Sequence, residues 1–422
     1  MEEFMKIRIE HASNPLNYGT NMMVTNFIYY LNKKRDNLEF VLDVNNESDL
    51  ENYKSQTGIS NITSKNIDYN FLVSNNLFEK IKNKIKREFL FNITSKKNIK
   101  KLIDSTDFLI VLGGDDLSEY YGVKSLKREA YKIFKASKFI NIYLVGQTIG
   151  PFSEKNKYIV KNMLYKTKIY SRDVWTSDYL KKEFNLNNIE DSADLAFLDL
   201  PNQNNEYICN EILNKYGLLS NEYICVIPSG LYKSYCDDRE KYIDTWIEMI
   251  NYIREKYKNK KIILFGHVLR DHTVDDRNII KEIENKINDS ENLIFNYDKI
   301  TPLQARFLLG NGIFTLTGRM HGAISTFQMG KPAISISYSV KYDGIICKGL
   351  ELKELVVDGK KEEKWKNNNV LANFKESLNY LISNSEEINK KILKNTNEMR
   401  KKAHKMIDDI SKEIILKENN NE

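Results

Sequence analysis

The chain has 422 residues, with 64 Lys and Arg against 58 Asp and Glu, a formal net charge of +6, and 41% hydrophobic and 11% aromatic residues. That length exceeds what one hydrophobic core usually serves and predicts two domains, while the apolar share excludes an intrinsically disordered chain. The small basic excess is spread along the sequence, which excludes a dedicated nucleic-acid binder and suits small anionic substrates or an anionic membrane surface.

In chain order, Met1 to Glu10 is charged and runs into a strand at Lys6–Ile9, a start that does not read as a signal peptide and predicts a cytoplasmic protein. Asn14 to Asn21 follows that strand, with Asn17 and Gly19 opening a helix at Asn21–Leu31. A strand at Phe40–Val44 comes next. Phe78, Ile81, Ile85 and Phe89 then form an apolar stripe among Lys80, Lys82, Lys84, Lys86 and Arg87. The stripe reads first as a core-facing helix; its other reading is a helix resting on the inner face of a membrane. Strands at Phe108–Leu112, Ile140–Val145 and Ile169–Ser171 follow, each ending in Gly or charged residues, with a helix at Asn156–Tyr165.

Leu200 to Glu222 contains Pro201-Asn202-Gln203-Asn204-Asn205 and marks the expected boundary, giving domains of residues 1–205 and 206–422. Beyond it, strands are predicted at Tyr223–Ile227, Ile262–Phe265, Leu293–Phe295, Gly312–Leu316 and Ala333–Ile336, with helices at Arg239–Tyr257 and Arg277–Ile287. Leu371 to Leu416 reads as terminal helices, and Lys417 to Glu422 as a fraying tail. Strands alternating with helices imply α/β domains with parallel sheets. Two Rossmann-like halves facing one cleft place ligands outside the carboxyl ends of the strands. No apolar run approaches bilayer length. Cys209, Cys225, Cys236 and Cys347 lack CxxC or metal-ligand spacing and read as reduced thiols, with no metal site implied.

The sharpest constellation is Gly318-Arg319-Met320-His321-Gly322, set between the strand ending at Leu316 and a helix from Ala323 to Met329. Free backbone N–H groups at a helix start bind anions, Arg adds a fork for carboxylate or phosphate, and His adds a group that titrates near neutrality. Gly330-Lys331-Pro332 and Tyr338-Ser339-Val340-Lys341 follow, bringing Lys341 just past the next strand. Gly113-Gly114-Asp115-Asp116 follows Phe108–Leu112; its glycines permit close approach, and its carboxylates suit orienting or deprotonating a sugar hydroxyl, although the same turn is an ordinary helix cap. Gly146 to Phe152, with Gln147, and Ser171-Arg172-Asp173 end the next two strands. Arg172 reads either as a second cation at this edge or as a surface partner of Asp173 or Asp178. His267, Arg270 and His272 stand beside Asp271, Asp275 and Asp276, which reads as a solvated loop. Glu354 and Glu362 flank a turn-like Asp358-Gly359, and their glycosyltransferase-like spacing reads as coincidence.

Taken together, Asn17-Tyr18-Gly19, Gly113-Gly114, Gly146 to Pro151, Ser171-Arg172-Asp173, Asp194-Leu195-Ala196-Phe197, Gly318-Arg319-Met320-His321, Gly330-Lys331-Pro332 and Lys341 resemble, in order and spacing, the polysaccharide pyruvyl transferase family. The chain departs from the family pattern at Thr20, where an acidic residue is usual, and at Asp115, where a third Gly is common. The resemblance implies a glycosyltransferase-B-like fold of two Rossmann-like domains facing a cleft, with phosphoenolpyruvate as co-substrate and a pyruvate ketal on a sugar as product. No further cofactor is implied. By position, the family's Arg-x-His falls on Arg319 and His321 and its later Lys on Lys341. On this reading His321 is the general acid, Arg319, Arg172 and Lys341 bind the donor, and Asp116 is the candidate general base. Asn17, Gly19, Gly113, Gly114, Asp115 and Gln147 are candidates for the acceptor side. Expected partners are phosphoenolpyruvate and a sugar or lipid-linked oligosaccharide, with peripheral membrane contact as an option and no nucleic acid. A nucleotide-sugar glycosyltransferase and a non-catalytic carbohydrate-binding protein remain the alternatives.

Overall fold

The structure is a computed structural model and describes residues 4–65, 97–120, 122–270 and 274–419. The apolar stripe from Phe78 to Phe89, together with Asp271 and His272, lies outside the described residues. The chain divides into two compact units. The first comprises Met1–Asn14, Leu31–Ser171 and Thr176–Glu190; the second comprises Pro15–Tyr30, Arg172–Trp175 and Asp191–Glu422.

The first unit is built on a seven-stranded sheet in the order β3-β2-β1-β4-β5-β6-β7. Its strands are β1 (Met5–Glu10), β2 (Leu38–Leu42), β3 (Ile62–Ser64), β4 (Phe108–Leu112), β5 (Asn141–Gln147), β6 (Lys168–Ser171) and β7 (Ile189–Asp191). Pairings from β3 through β6 are parallel. β4 reads Phe-Leu-Ile-Val-Leu and is buried at every position, the mark of a strand covered on both faces. The helix Val123–Ala136 lays Leu126, Ala130, Ile133 and Ala136 against one of those faces at the spacing of one helical stripe. Succession runs outward from β1 to β3 on one side and from β4 to β7 on the other. The order therefore reverses between β1 and β4.

The second unit carries a six-stranded, wholly parallel sheet in the order β10-β9-β8-β11-β12-β13. These strands are β8 (Tyr223–Ile227), β9 (Lys261–Phe265), β10 (Leu293–Asn296), β11 (Thr315–Thr317), β12 (Ala333–Ser337) and β13 (Val356–Asp358). Here the reversal falls between β8 and β11. The three-residue edge strands β3, β7 and β13 escape the sequence reading because their runs are too short to show alternation. β13 also replaces the turn expected around Asp358. Helices Asn369–Ser383 and Ser385–Asn419 close the chain. The latter buries Ile388, Ile392, Ala403, Met406, Ile407, Ile410 and Ile414, a stripe that packs it onto its own unit. Among the described residues, no helix is long and apolar enough to cross a membrane.

Candidate functional site

Two residues, Gly318 and Arg319, separate β11 from the helix Met320–Gln328, at the point where the order of the second sheet reverses. Every residue of this nine-residue helix is buried except His321, whose side chain is 17% exposed. A helix buried on all sides is a core element, so its one accessible side chain has a position fixed by packing. Arg319 sits at the N-cap position in an extended conformation, and its side chain makes no capping bond to the first turn.

Two buried carboxylates organise what surrounds this helix start. Asp194 Oδ2 accepts from Arg172 Nη1 at 2.7 Å and lies 3.2 Å from His321 Nε2. Its other oxygen accepts the Ala196 N–H at 2.9 Å, capping the short turn Leu195–Phe197. Burial on its own raises the Asp194 carboxyl; the charge and hydrogen bond of His321, then Arg172 and the Ala196 N–H, outweigh it and hold the group below the usual carboxylate range. The segment carrying Asp194 is pinned through its carbonyls. Asn26 donates to Leu195 O at 2.8 Å, and Arg306 donates to Ala196 O at 2.6 Å and Leu198 O at 2.8 Å. Arg306 is fully buried, and burial lowers it to about 9.

Asp276 is the second organiser. Its carboxylate accepts Arg319 Nη2 at 2.6 Å and Nε at 3.0 Å, and also the backbone N–H groups of Gly230 at 2.7 Å, His267 at 3.0 Å and Val268 at 2.8 Å. One side chain thus ties together the segments leaving β8, β9 and β11. Burial opposes the Arg319 charge, and Asp276 more than offsets it, so the guanidinium is raised above its ordinary value. The loop after β9 is therefore not a solvated one at these positions: Asp276 and His267 are buried, whereas Arg270 is exposed. His267 Nε2 has no hydrogen-bond partner among the described residues. Burial, then His321, Arg319 and Arg306, push this imidazole well below its ordinary value and keep it neutral.

At Gly19 an amino-terminal motif meets the carboxyl-proximal one. A Cβ on Gly19 would stand 2.2 Å from His321 Nδ1 and 2.3 Å from its Cγ, so the ring occupies the space that a side chain at Gly19 would need. Asn17 fixes the approach: it bridges Val268 in antiparallel fashion, and its carbonyl accepts the Asn21 N–H at 2.9 Å. Lys341 is buried, bonds Tyr338 Oη at 2.7 Å and lies 4.6 Å from the centre of the Tyr338 ring. Tyr235 and Tyr342 both donate to Gly318 O, the latter at 3.1 Å. The second unit thus holds Arg172, Arg319, His321, Lys341, Asn17 and Gly19. Arg172 is buried and pairs with the buried Asp194, so it is not a solvated surface group.

The remaining residues belong to the first unit. Gly113 abuts Gly146, whose O would lie 1.9 Å from a Cβ, and Gly114 abuts the Asp116 carboxylate. Asp115 is buried, and its carbonyl accepts Ser118 Oγ at 2.6 Å. Asp116 stays half-exposed. Gln147 is fully buried and donates to Val111 O at 3.0 Å and Leu112 O at 2.9 Å, tying the ends of β4 and β5 together. Glu119 accepts from Ser153 N and Oγ, both at 2.9 Å, and from Asn156 Nδ2 at 2.8 Å, which fixes the loop after β4. Among the described residues no group of three or more His, Cys, Asp or Glu side chains is placed to hold a metal ion, and all four cysteines are free.

Sequence reasoning passed over Asp194 and Asp276 as functional groups. Asp194 carried a signal, since it opens one of the motifs on which the family resemblance rests. Asp276 carried none, because a run of acidic residues looks solvated until the fold buries one of them.

Comparison with known proteins completes the description. The family described as polysaccharide pyruvyl transferase matches residues 17–340. Among solved structures, UDP-GlcNAc 2-epimerase from Neisseria meningitidis bound to UDP-GlcNAc is similar at a TM-score of 0.62 and 13% identity, covering 96% of this chain and 99% of that one. UDP-GlcNAc 2-epimerase from Methanocaldococcus jannaschii is similar at a TM-score of 0.55 and 14% identity, over 86% of this chain and 91% of that one. The N-terminal domain of trehalose-6-phosphate phosphatase from Candida albicans follows at 0.53 and 10%, over 96% and 98%. At these identities the likeness establishes the fold, the glycosyltransferase-B type with two parallel-sheet α/β domains. Fold alone leaves the chemistry to the site.

Proposed function

The chain belongs to the polysaccharide pyruvyl transferase family and is a transferase, and from that premise we propose that it moves a pyruvyl group from phosphoenolpyruvate to a sugar diol, forming a ketal. The observation that carries the reading is the contact chain Arg172–Asp194–His321, in which one buried carboxylate holds a guanidinium at 2.7 Å and a partly exposed imidazole at 3.2 Å. Phosphoenolpyruvate is an enol phosphate. Protonation of its methylene carbon leaves C2 electrophilic; one sugar hydroxyl adds to C2, and a second displaces phosphate by breaking the C2–O bond. The count closes without any other reactant: one hydroxyl proton is replaced on the carbon, and the other leaves with phosphate.

In this scheme His321 is the general acid towards the methylene carbon. Asp194 acts through it as a positioning residue, accepting at Nε2 and fixing the ring while Gly19 leaves room for it. A positioned acid of this kind contributes about 10²–10⁴-fold in rate. Arg172, Arg319 and Lys341 supply positive charge for the phosphate and carboxylate, and the helix start at Met320 adds N–H groups that no side chain caps. Asp116 takes or orients the acceptor hydroxyl.

The test is turnover in deuterium oxide with phosphoenolpyruvate and a mixture of mono- and oligosaccharides. The reading expects phosphate release together with a ketal whose methyl group carries one deuteron. Release of phosphate as free pyruvate forms, with no sugar modified, would reject the transfer step. Modification of sugar by a sugar nucleotide in place of phosphoenolpyruvate would reject the donor.

A further inference from the structure

The first unit carries a side-chain constellation of its own at the reversal point of its sheet, and the chemistry assigned above uses only Asp116 from it. β1 is followed directly by His11, a non-glycine residue at φ 71°. Asp43, just past β2, accepts the backbone N–H of His11 at 3.0 Å and of Ala12 at 2.8 Å, which holds that conformation. Behind the ring the charges are paired off. Arg8 bonds Glu10 at 3.1 Å, Lys132 bonds Glu10, and Lys132 lies 2.7 Å from Glu129.

Outside those pairs stand His11 and Asp116, with His11 Nδ1 itself buried and without a hydrogen-bond partner among the described residues. His11 Nδ1 lies 3.7 Å from Asp116 Oδ2, and Nε2 lies 3.7 Å from Glu129 Oε1. The His11 side chain is 24% exposed and that of Asp116 49%. Asp116 is folded back over Gly114, where a Cβ would stand 2.2 Å from Oδ2. Burial works against charge on His11, but the neighbouring Glu129 and Asp116 carboxylates outweigh it and raise the imidazole to about 10, so both ring nitrogens are donors at neutral pH.

At 3.7 Å the two groups make no direct hydrogen bond, so the imidazole N–H and the carboxylate can both turn to a third group lying beside the pair. The group that fits must accept from an imidazolium and donate to a carboxylate, and a hydroxyl does both. An anion is disfavoured by the two carboxylates that face His11. In open parallel sheets, ligands bind at the carboxyl ends of strands where the strand order reverses, and β1 and β4 flank that point here.

The geometry points to a sugar-hydroxyl site at this reversal point, in which His11 donates to one hydroxyl of the acceptor diol and Asp116 accepts from it. The inference rests on the reading of the chain as a transferase to a sugar diol, and assigns His11 as a binding residue for it. Glu129 holds the far side of the ring and acts as a positioning residue.

The experiment is saturation-transfer NMR on the full chain without phosphoenolpyruvate, using methyl α-D-glucoside, methyl β-D-galactoside and N-acetylglucosamine as probes. His11→Asn retains a residue tolerant of positive φ, Asp116→Asn alters a half-exposed group, and His321→Ala serves as the control in the second unit. At least one probe is expected to bind the unsubstituted protein and the His321→Ala variant alike, and to lose roughly tenfold or more in affinity with either His11→Asn or Asp116→Asn. No binding of any probe by the unsubstituted protein, or binding indifferent to both substitutions, overturns the site. If His11→Asn does not fold, Asp116→Asn decides alone. Sugar binding lost in these variants while phosphoenolpyruvate binds nowhere would leave the site standing and overturn the donor instead.

Discussion

The reversal points of the two sheets use the same parts in different states of closure. In the second unit His321 rests on Gly19 and meets Asp194 at 3.2 Å, and Asp194 is itself fully buried and bonded on both oxygens. In the first unit Asp116 rests on Gly114, but its contact with His11 is 3.7 Å and half of its side chain is exposed. Each glycine gives up a side chain so that a functional group can occupy the space. The difference lies in what the group then meets. A closed arrangement fixes a reacting group before the substrate arrives, which is how positioning lowers a barrier. An open one leaves its groups without a direct bond to each other and able to turn to a guest hydroxyl.

Substitutions can break this contrast on either side. The largest effect is expected from His321→Ala, which should lower kcat by about 10²–10⁴-fold while leaving the phosphoenolpyruvate Kd within a few-fold of the unsubstituted protein. An equal loss of affinity would make His321 a binding group. Arg319→Ala should destabilise the protein by about 3–5 kcal/mol in urea unfolding, because it strands the buried Asp276 carboxylate, and should also weaken phosphoenolpyruvate binding. A stability loss without an affinity loss would confine Arg319 to holding the strand ends together.

Gly19→Ala comes next. A methyl group placed 2.2 Å from Nδ1 cannot coexist with the present ring position, and overpacking of this kind costs about 1–3 kcal/mol. We expect kcat to fall with little change in KM, and the His321 imidazole signals to shift in NMR. Unchanged signals would show that the seat is dispensable. The smallest effect belongs to His11. Its pKa is raised on folding, so its contribution to stability is fully present below the unfolded value of about 6.5. That contribution is lost as pH rises towards about 10. Thermal melts of His11→Asn should therefore lack part of the decline that the unsubstituted protein shows across that window. The ring is faced by Asp116, Glu129, Lys132 and Asp43, so the same decline in both proteins would assign it to those neighbours.

Much of the fold was legible because its long strands are fully buried apolar runs separated by amphipathic stretches, as at Phe108–Leu112 and Tyr223–Ile227. The edge strands were not, being three residues long. Arg319, His321 and Lys341 were legible as groups at strand ends because glycine and helix-start signals surround them. Their partners were not. Asp194 lies 127 residues from His321 and Asp276 lies 43 from Arg319, so only the folded chain selects them from among many carboxylates. Arg172 read either as a second cation at the strand ends or as a surface partner of a neighbouring Asp, and only the fold shows it buried against Asp194. His11 left no trace in the pattern because its signal is a backbone angle, held by Asp43.

The central claim is that the cations and imidazole of the second unit serve phosphoenolpyruvate. Calorimetric titration of the purified chain and its His321→Ala variant with phosphoenolpyruvate, UDP and UDP-GlcNAc tests it directly. Saturable binding of phosphoenolpyruvate to both proteins, with neither UDP compound binding, is the predicted result. Binding of UDP or UDP-GlcNAc with no response to phosphoenolpyruvate would contradict the account and return the chain to nucleotide-sugar chemistry.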